Sequence, residues 1–232
     1  MAHSPAPNMD DLARCIDSTL LRPQCLAEEV VRLCEEASEH RFAAVCILPG
    51  HIALAAGVLA GASPVVCTVV GFPLGAELRS VKEFQTDCAI QAGAKEIDMV
   101  MDIPCAKAGD WVSVGREIER VVNVARPADA LVKVIIECAY LTEQEKKEAS
   151  GVACESGAHF VKTSTGFATS GATVEDVRLL ANVVDGKCGV KASGGIRDLD
   201  TALKMLGAGA TRLGLSAAKS IMQELGSRRE RL

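Results

Sequence analysis

Eight short apolar segments rich in β-branched residues recur along the chain, each followed by a longer stretch patterned as a helix; no other feature restricts the fold as much. The strand candidates are residues 15–20, 43–48, 64–71, 96–103, 131–139, 159–165, 188–193 and 211–216. Between them lie segments such as 27–40, where apolar residues return at helical spacing with charges opposite. This alternation predicts repeated βαβ units and a parallel sheet. A small-Gly-Ala step occupies the same place in three units, at residues 91–98, 155–162 and 207–214, where glycine closes a helix and alanine lets the chain turn close to the sheet. Eight units in 232 residues fit an α/β fold of the (β/α)8 TIM barrel type in a single domain. The runner-up, an open doubly wound sheet, lacks the Gly-x-Gly-x-x-Gly turn that would favour it. The expected organisation is a flexible leader over residues 1–11, the barrel over 12–226 and a basic tail over 227–232.

Charge and cysteine usage narrow the function classes. Lysine and arginine total 25 against 30 acidic residues, a formal charge of −5, with no basic block long enough to follow a phosphate backbone, so nucleic acid is not an expected partner. No apolar run approaches membrane-spanning length, and the first residues lack the order of a signal peptide. None of the ten cysteines is paired as C-x-x-C, and Cys46, Cys67 and Cys138 lie inside apolar runs, so all are read as reduced thiols of a cytoplasmic protein. His3, His40, His51 and His159 show no metal-ligand spacing, and no metal site is expected.

Two lysines break the apolar pattern of their strands, Lys162 in HFVKTSTGF and Lys191 in GVKASGGIRD. A lysine inside a covered strand costs desolvation unless it is paired or neutral, and a neutral lysine is a nucleophile toward carbonyls. Alternation places Asp17 with Thr19, Asp98 with Asp102, Lys133 with Glu137, Lys162 with Ser164, and Lys191 with Ser193 on the same faces of their strands. If these faces point inward, the barrel holds at least three lysines balanced by carboxylates, an expensive interior for a protein that only needs to fold. Lys133 reads as support, paired with Glu137 or with a neighbouring strand's carboxylate; Asp17 and Asp102 read as residues that orient neighbours. A strand-edge lysine that discourages aggregation is the bland alternative for Lys162 and Lys191, but a barrel has no edge. A second ammonium close by, with partial burial, pushes a lysine pKa down and leaves much of it neutral near pH 7. Asp98 is the natural group to move protons for such an amine. Ser193-Gly194-Gly195 and Gly214-Leu215-Ser216 follow the seventh and eighth strands, where many barrels hold a substrate phosphate on backbone N–H groups at helix starts.

With these segments in hand, IDSTLLRP, VCILPG, VVGFPLG, EIDMVMDI, KVIIE, FVKTSTGF and VKASGGIRD in this order, the chain resembles the deoxyribose-phosphate aldolases, a family of class I aldolases, from about Cys15 to Leu225. The resemblance implies a barrel that reversibly cleaves 2-deoxy-D-ribose 5-phosphate to D-glyceraldehyde 3-phosphate and acetaldehyde, with no cofactor and no metal. By motif, it makes Lys162 the Schiff-base lysine, Lys191 the second lysine that lowers its pKa and joins the proton relay, and Asp98 the acid/base partner working through water. It assigns the phosphate to Gly166, Gly194, Gly195, Gly214 and Ser216, and the pocket lining to Asp17, Thr19, Cys46 and Thr165, with Lys133 and Ser193 on the substrate side. Three departures stand out: Ser18 where many relatives have histidine, Ala217 where some have a second serine, and Arg231-Leu232 where some end in tyrosine. Another Schiff-base aldolase or transaldolase, or a non-catalytic sugar-phosphate-binding barrel, remain the alternatives; the last gains nothing from a second lysine beside the first. Small-molecule substrates and a homodimer are the expected partners.

Overall fold

The computed structural model describes residues 8–230. Eight parallel strands close into a barrel in chain order: β1 (Ile16–Leu20), β2 (Ala44–Ile47), β3 (Val65–Val70), β4 (Glu96–Val100), β5 (Leu131–Ile135), β6 (Phe160–Lys162), β7 (Gly189–Ser193) and β8 (Arg212–Leu215). Closure is made by β8 against β1, with Asp17 opposite Gly214. The helices are α1 (Met9–Ala13), α2 (Ala27–His40), α3 (Ile52–Val58), α4 (Arg79–Gln91), α5 (Ile103–Lys107), α6 (Trp111–Ala125), α7 (Glu143–Glu155), α8 (Val174–Val184), α9 (Leu199–Gly207) and α10 (Ala218–Arg229). This is the (β/α)8 TIM barrel expected from the alternation.

The small-Gly-Ala repeat explains how each helix hands over to its strand. Gly93, Gly157 and Gly209 take φ of 111°, 86° and 111°, a left-handed turn that glycine adopts without a Cβ penalty. The alanine after each donates back into its helix, Ala94 to Ala89, Ala158 to Ala153 and Ala210 to Met205, at 3.0–3.1 Å. The next N–H then enters the sheet, as Thr211 does on Val190. Outward-facing residues such as Ile97, Met99, Val132, Val134, Val161, Val190 and Leu213 are sealed under the helices. Each such side chain contributes roughly 1.5–3 kcal/mol relative to exposure. Inside the barrel, Ala44, Cys46, Cys67 and Val69 form a separate small apolar cluster on the β2–β3 side. Much of the rest of the interior is ionic.

Several expectations are corrected at their edges. Residues 9–11 of the expected leader are helical, because the Asn8 side chain caps α1 by accepting from Asp11 N and because Leu12 and Ala13 are buried. Helix α10 runs through residues 227–229 of the expected tail; residues 1–7 and 231–232 lie outside the described residues. The reading of all ten cysteines as reduced fails at one pair. Cys154 at the end of α7 and Cys188 before β7 are joined in a disulfide, their Cα atoms 6.0 Å apart, because α7 and the approach to β7 meet beneath the barrel. The other eight are free. Among the described residues no helix is long and apolar enough to cross a membrane.

Candidate active site

The strands β4, β5, β6, β7, β8 and β1 each send a charged side chain inward, and these meet in one buried network. Register brings them together: Asp98 lies opposite Lys133, Lys162 opposite Lys191, and Lys191 opposite Arg212. Asp98 stands at the centre. Its Oδ1 accepts from Lys133 Nζ at 2.7 Å, and its Oδ2 accepts from both Lys162 Nζ at 2.8 Å and Lys191 Nζ at 2.7 Å. Lys191 also reaches Asp17 Oδ2 at 2.5 Å, and Lys133 reaches Glu96 Oε2 at 2.6 Å and Asp17 Oδ2 at 3.5 Å. Of the two pairings expected for Lys133, the structure has the one with carboxylates of the neighbouring strand, Glu96 and Asp98 of β4, and adds Asp17 from across the barrel.

Charge order within the network follows from these contacts. Burial by itself would push the Asp98 and Asp17 carboxyls up, but the lysines around Asp98, and Lys191, Lys133 and Arg212 around Asp17, hold both well below the usual carboxylate range. Burial likewise works against the ammonium of Lys191, yet Asp17 and then Asp98 hold it above the usual lysine range; Lys133 is raised in the same way, against its burial, by Asp98 and its other anionic neighbours. Lys191 is thus a fixed cation. Cys46 Sγ lies 4.0 Å from Asp98 Oδ2, and Cys67 Sγ lies 3.2 Å from Asp98 Oδ1. Thiols and carboxylates converging here are a metal-ligand type of donor set, but the lysine ammonium groups already occupy the carboxylate oxygens.

Above the network opens a cleft of about 340 Å³ at the C-terminal ends of the strands. Thr19, Lys162, Thr165, Gly166, Ser193, Gly194, Gly195, Gly214 and Ser216 line it, as the sequence predicts. Asp17, Cys46, Lys133, Asp98 and Lys191 do not; they lie beneath its floor, all five completely buried. Lys162 alone joins the two levels, because β6 ends there. It is the last ladder residue of its strand, its amine on Asp98 and its side chain 3 % exposed.

The loops that frame the cleft are tied by hydroxyls. Ser193 Oγ donates to Ser164 O at 2.6 Å, and Thr163 Oγ1 accepts from Ser193 N at 3.2 Å. Glu137, expected on the face of Lys133, leaves the strand instead. It takes a left-handed conformation, φ 52°, that turns its carboxylate to Thr165, whose N and Oγ1 both donate to Oε2. Asp102 likewise leaves β4 and caps α5 by accepting from Cys105 N. Ser164 ties loops and does not enter the ionic network. Gly214 leaves room for the stem of Lys191: a Cβ there would stand 3.2 Å from Lys191 Cε and 2.9 Å from Ser193 Cβ. Helix α10 has no side-chain cap at Ala217, so its first N–H groups, next to Ser216 on the cleft wall, have no side-chain acceptor.

Sequence reading missed Arg22, Phe167 and Arg197 in the cleft lining. Arg197 follows the Gly194-Gly195 turn, is exposed, and makes no ion pair among the described residues. Its place two residues beyond that turn was the available signal. Phe167 packs edge-on against Phe72, ring centroids 5.3 Å apart.

Comparison with known proteins shows what the chain is similar to. Residues 9–224 match the model of the DeoC/LacD family aldolases. The chain is 52% identical over 212 residues to the deoxyribose-phosphate aldolase of Halalkalibacterium halodurans, covering 91% of this chain and 94% of that one. It is 50% identical over 215 residues to that of Thermococcus gammatolerans, covering 92% and 96%. Among solved structures, the tetrameric deoxyribose phosphate aldolase from Aeropyrum pernix superposes with a TM-score of 0.89 at 34% identity, over 95% of this chain and 93% of that one.

Proposed function

The chain belongs to the DeoC/LacD aldolase family, and from that premise we propose how its own residues carry the reaction. The activity is that of a class I aldolase, a lyase that reversibly cleaves 2-deoxy-D-ribose 5-phosphate to D-glyceraldehyde 3-phosphate and acetaldehyde. The observation that carries the assignment is that Lys162, of the three buried lysines on Asp98, is the one that lines the cleft.

The Lys162 amine adds to the aldehyde carbon of the open-chain sugar to give a carbinolamine, which loses water to leave an iminium ion. A base then takes the proton of the C3 hydroxyl; the C2–C3 bond breaks, its electron pair neutralising the iminium as an enamine, and D-glyceraldehyde 3-phosphate leaves. Protonation of the enamine carbon and addition of water release acetaldehyde and return the amine. Asp98 is the acid/base partner, acting through water. In the resting site three ammonium groups suppress its basicity. Lys162 attacks as the free amine; once its proton has left, one of those charges is gone and the carboxylate gains basicity as a proton must move. Lys191, held in its charged form, disfavours a second ammonium at Lys162 and donates a hydrogen bond to the Asp98 carboxylate as it takes and returns protons.

The phosphate sits across the cleft on Gly166, Gly194, Gly195, Gly214 and Ser216, on the uncapped N–H groups of α10, and on Arg197. Ala217 supplies no hydroxyl there, and the unpaired Arg197 guanidinium compensates. Borohydride reduction in the presence of acetaldehyde tests the assignment: a two-carbon adduct should appear on the peptide containing Lys162, and an adduct elsewhere, or none, would sink it. The enzyme works in the cytoplasm, a reading that rests on its eight free cysteines, and self-associates through exposed apolar side chains such as Leu74, Leu78 and Phe84. Sedimentation at micromolar concentration checks this, a monomer being the contrary result.

A further inference from the structure

We propose that Arg212 is a positioning residue whose permanent charge sets the reactivity of Lys162, the inner network being built with one cation more than its carboxylates neutralise. This rests on Lys162 being the Schiff-base amine. Arg212 opens β8, outside the cleft lining, with its side chain 12 % exposed. Its Nη1 lies 2.6 Å from Asp17 Oδ1 and 3.2 Å from Glu96 Oε2, and its guanidinium sits 5.3 Å above the centre of the Phe160 ring. It touches neither Asp98 nor any cleft residue that would meet substrate.

The formal charges make the case. Four cations, Lys133, Lys162, Lys191 and Arg212, share three carboxylates, Asp17, Glu96 and Asp98. The thiols of Cys46 and Cys67 face the same space from β2 and β3. Burial pushes Cys67 up, while a hydrogen bond with Cys67 holds Cys46 below its usual range. Among the cations and carboxylates alone the network carries one excess positive charge in a space almost closed to solvent. A guanidinium does not give up its proton, so the excess must be relieved at an amine. Lys133 meets three carboxylates and Lys191 two, whereas Lys162 meets only Asp98, on an oxygen it shares with Lys191. Lys162 loses the least ion pairing when it becomes neutral. Arg212 also occupies Asp17 Oδ1, so that Asp17 is not free to neutralise the lysines with both oxygens. Without Arg212, three cations would meet three carboxylates and no excess would remain.

Charge balance predicts shifts of opposite sign from two partners in one ion pair. In kcat/KM–pH profiles, Arg212→Gln should move the acid limb alkaline by about one pH unit, and Glu96→Gln should move it acid by about as much. Arg212→Lys should return it toward the parent position. Each profile is measured again with Cys46→Ser, which removes that thiol's own titration. A merely structural pair would lower kcat in both variants and leave the limb in place; that result, or both limbs moving the same way, overturns the proposal. If Arg212→Gln does not fold, Glu96→Gln and Arg212→Lys still decide it by the same limb. Borohydride trapping in the parent enzyme separates the two layers of inference: an adduct on Lys162 with unshifted limbs defeats the role of Arg212 alone, and its absence defeats the Schiff-base assignment beneath it.

Discussion

At the scale of single residues, the site is a problem of how many ammonium groups one carboxylate can hold. Asp98 holds three, and the two that face each other across β6 and β7 are bound to the same oxygen. Replacing Lys191 with leucine leaves Asp98 Oδ2 to Lys162 alone and removes the nearest positive charge. The acid limb of kcat/KM should then move alkaline, with activity at pH 7 down on the order of 10²-fold. Stopped assays across pH 6 to 10 check this, and an unchanged profile with full activity would refute the coupling. Ser18, in place of the family's histidine, lies between Asp17 and Thr19 and so faces the helices, buried at 4 % exposure. The substitution therefore leaves the ionic network intact.

At the scale of elements, the cleft depends on loops that touch backbone to backbone. Ala172 N donates to both Ser193 O and Gly194 O at 3.1 Å, and a Cβ on Gly171 would stand 2.2 Å from Gly194 O. The Gly194-Gly195 turn must move if Gly171 becomes alanine, while Lys162 and Asp98, anchored in strands, stay. KM for the sugar phosphate should rise about tenfold with kcat little changed, a loss of uniform binding. A fall in kcat at constant KM would place the effect on the lysines instead. The helix-to-strand turns were legible in the sequence because Gly and Ala recur at fixed places. The exits of Asp102 and Glu137 from their strands were not. Alternation continues on paper past the last ladder bond, and only loop partners such as Cys105 and Thr165 show where it stops.

At the scale of the whole molecule, two buried ionic centres set the response to mutation and pH. The second lies outside the barrel. Lys82 of α4, completely buried, donates to Gly75 O and Val100 O and forms an ion pair with Glu117 Oε1 at 2.7 Å. Lys82→Met strands the Glu117 carboxylate and two carbonyls, and should cost about 3–5 kcal/mol in chemical denaturation. Adding Glu117→Leu should recover only part, since Asp102 N loses its acceptor. The inner network governs pH dependence. Asp17 and Asp98 are held low in the folded state, so their contribution is complete above about pH 4 and is withdrawn as pH falls further. Lys133 and Lys191 are held high, so theirs is complete below about pH 10 and is withdrawn as pH rises beyond it. As far as these four groups go, the melting temperature should be flat between these limits and drop on both sides; a slope across neutrality would point to Cys46, held below its usual range, or to other groups.

By itself the sequence determined the barrel, the eight strands and the inward facing of Lys162, Lys191 and Asp98, because strand alternation is local. It did not determine which side chains reach substrate. Asp17, Cys46, Lys133, Asp98 and Lys191 share a facing with the cleft residues, yet they lie one layer lower. Depth along a barrel depends on the stagger between strands and on where each ladder ends, and both are settled by pairing between segments far apart in the chain. The same holds for Glu96 and Arg212, whose residues stand 116 positions apart and meet only once β8 has closed on β1. Tertiary closure is what turned a set of inward charges into a network with a floor, an opening at Lys162 and one cation in excess.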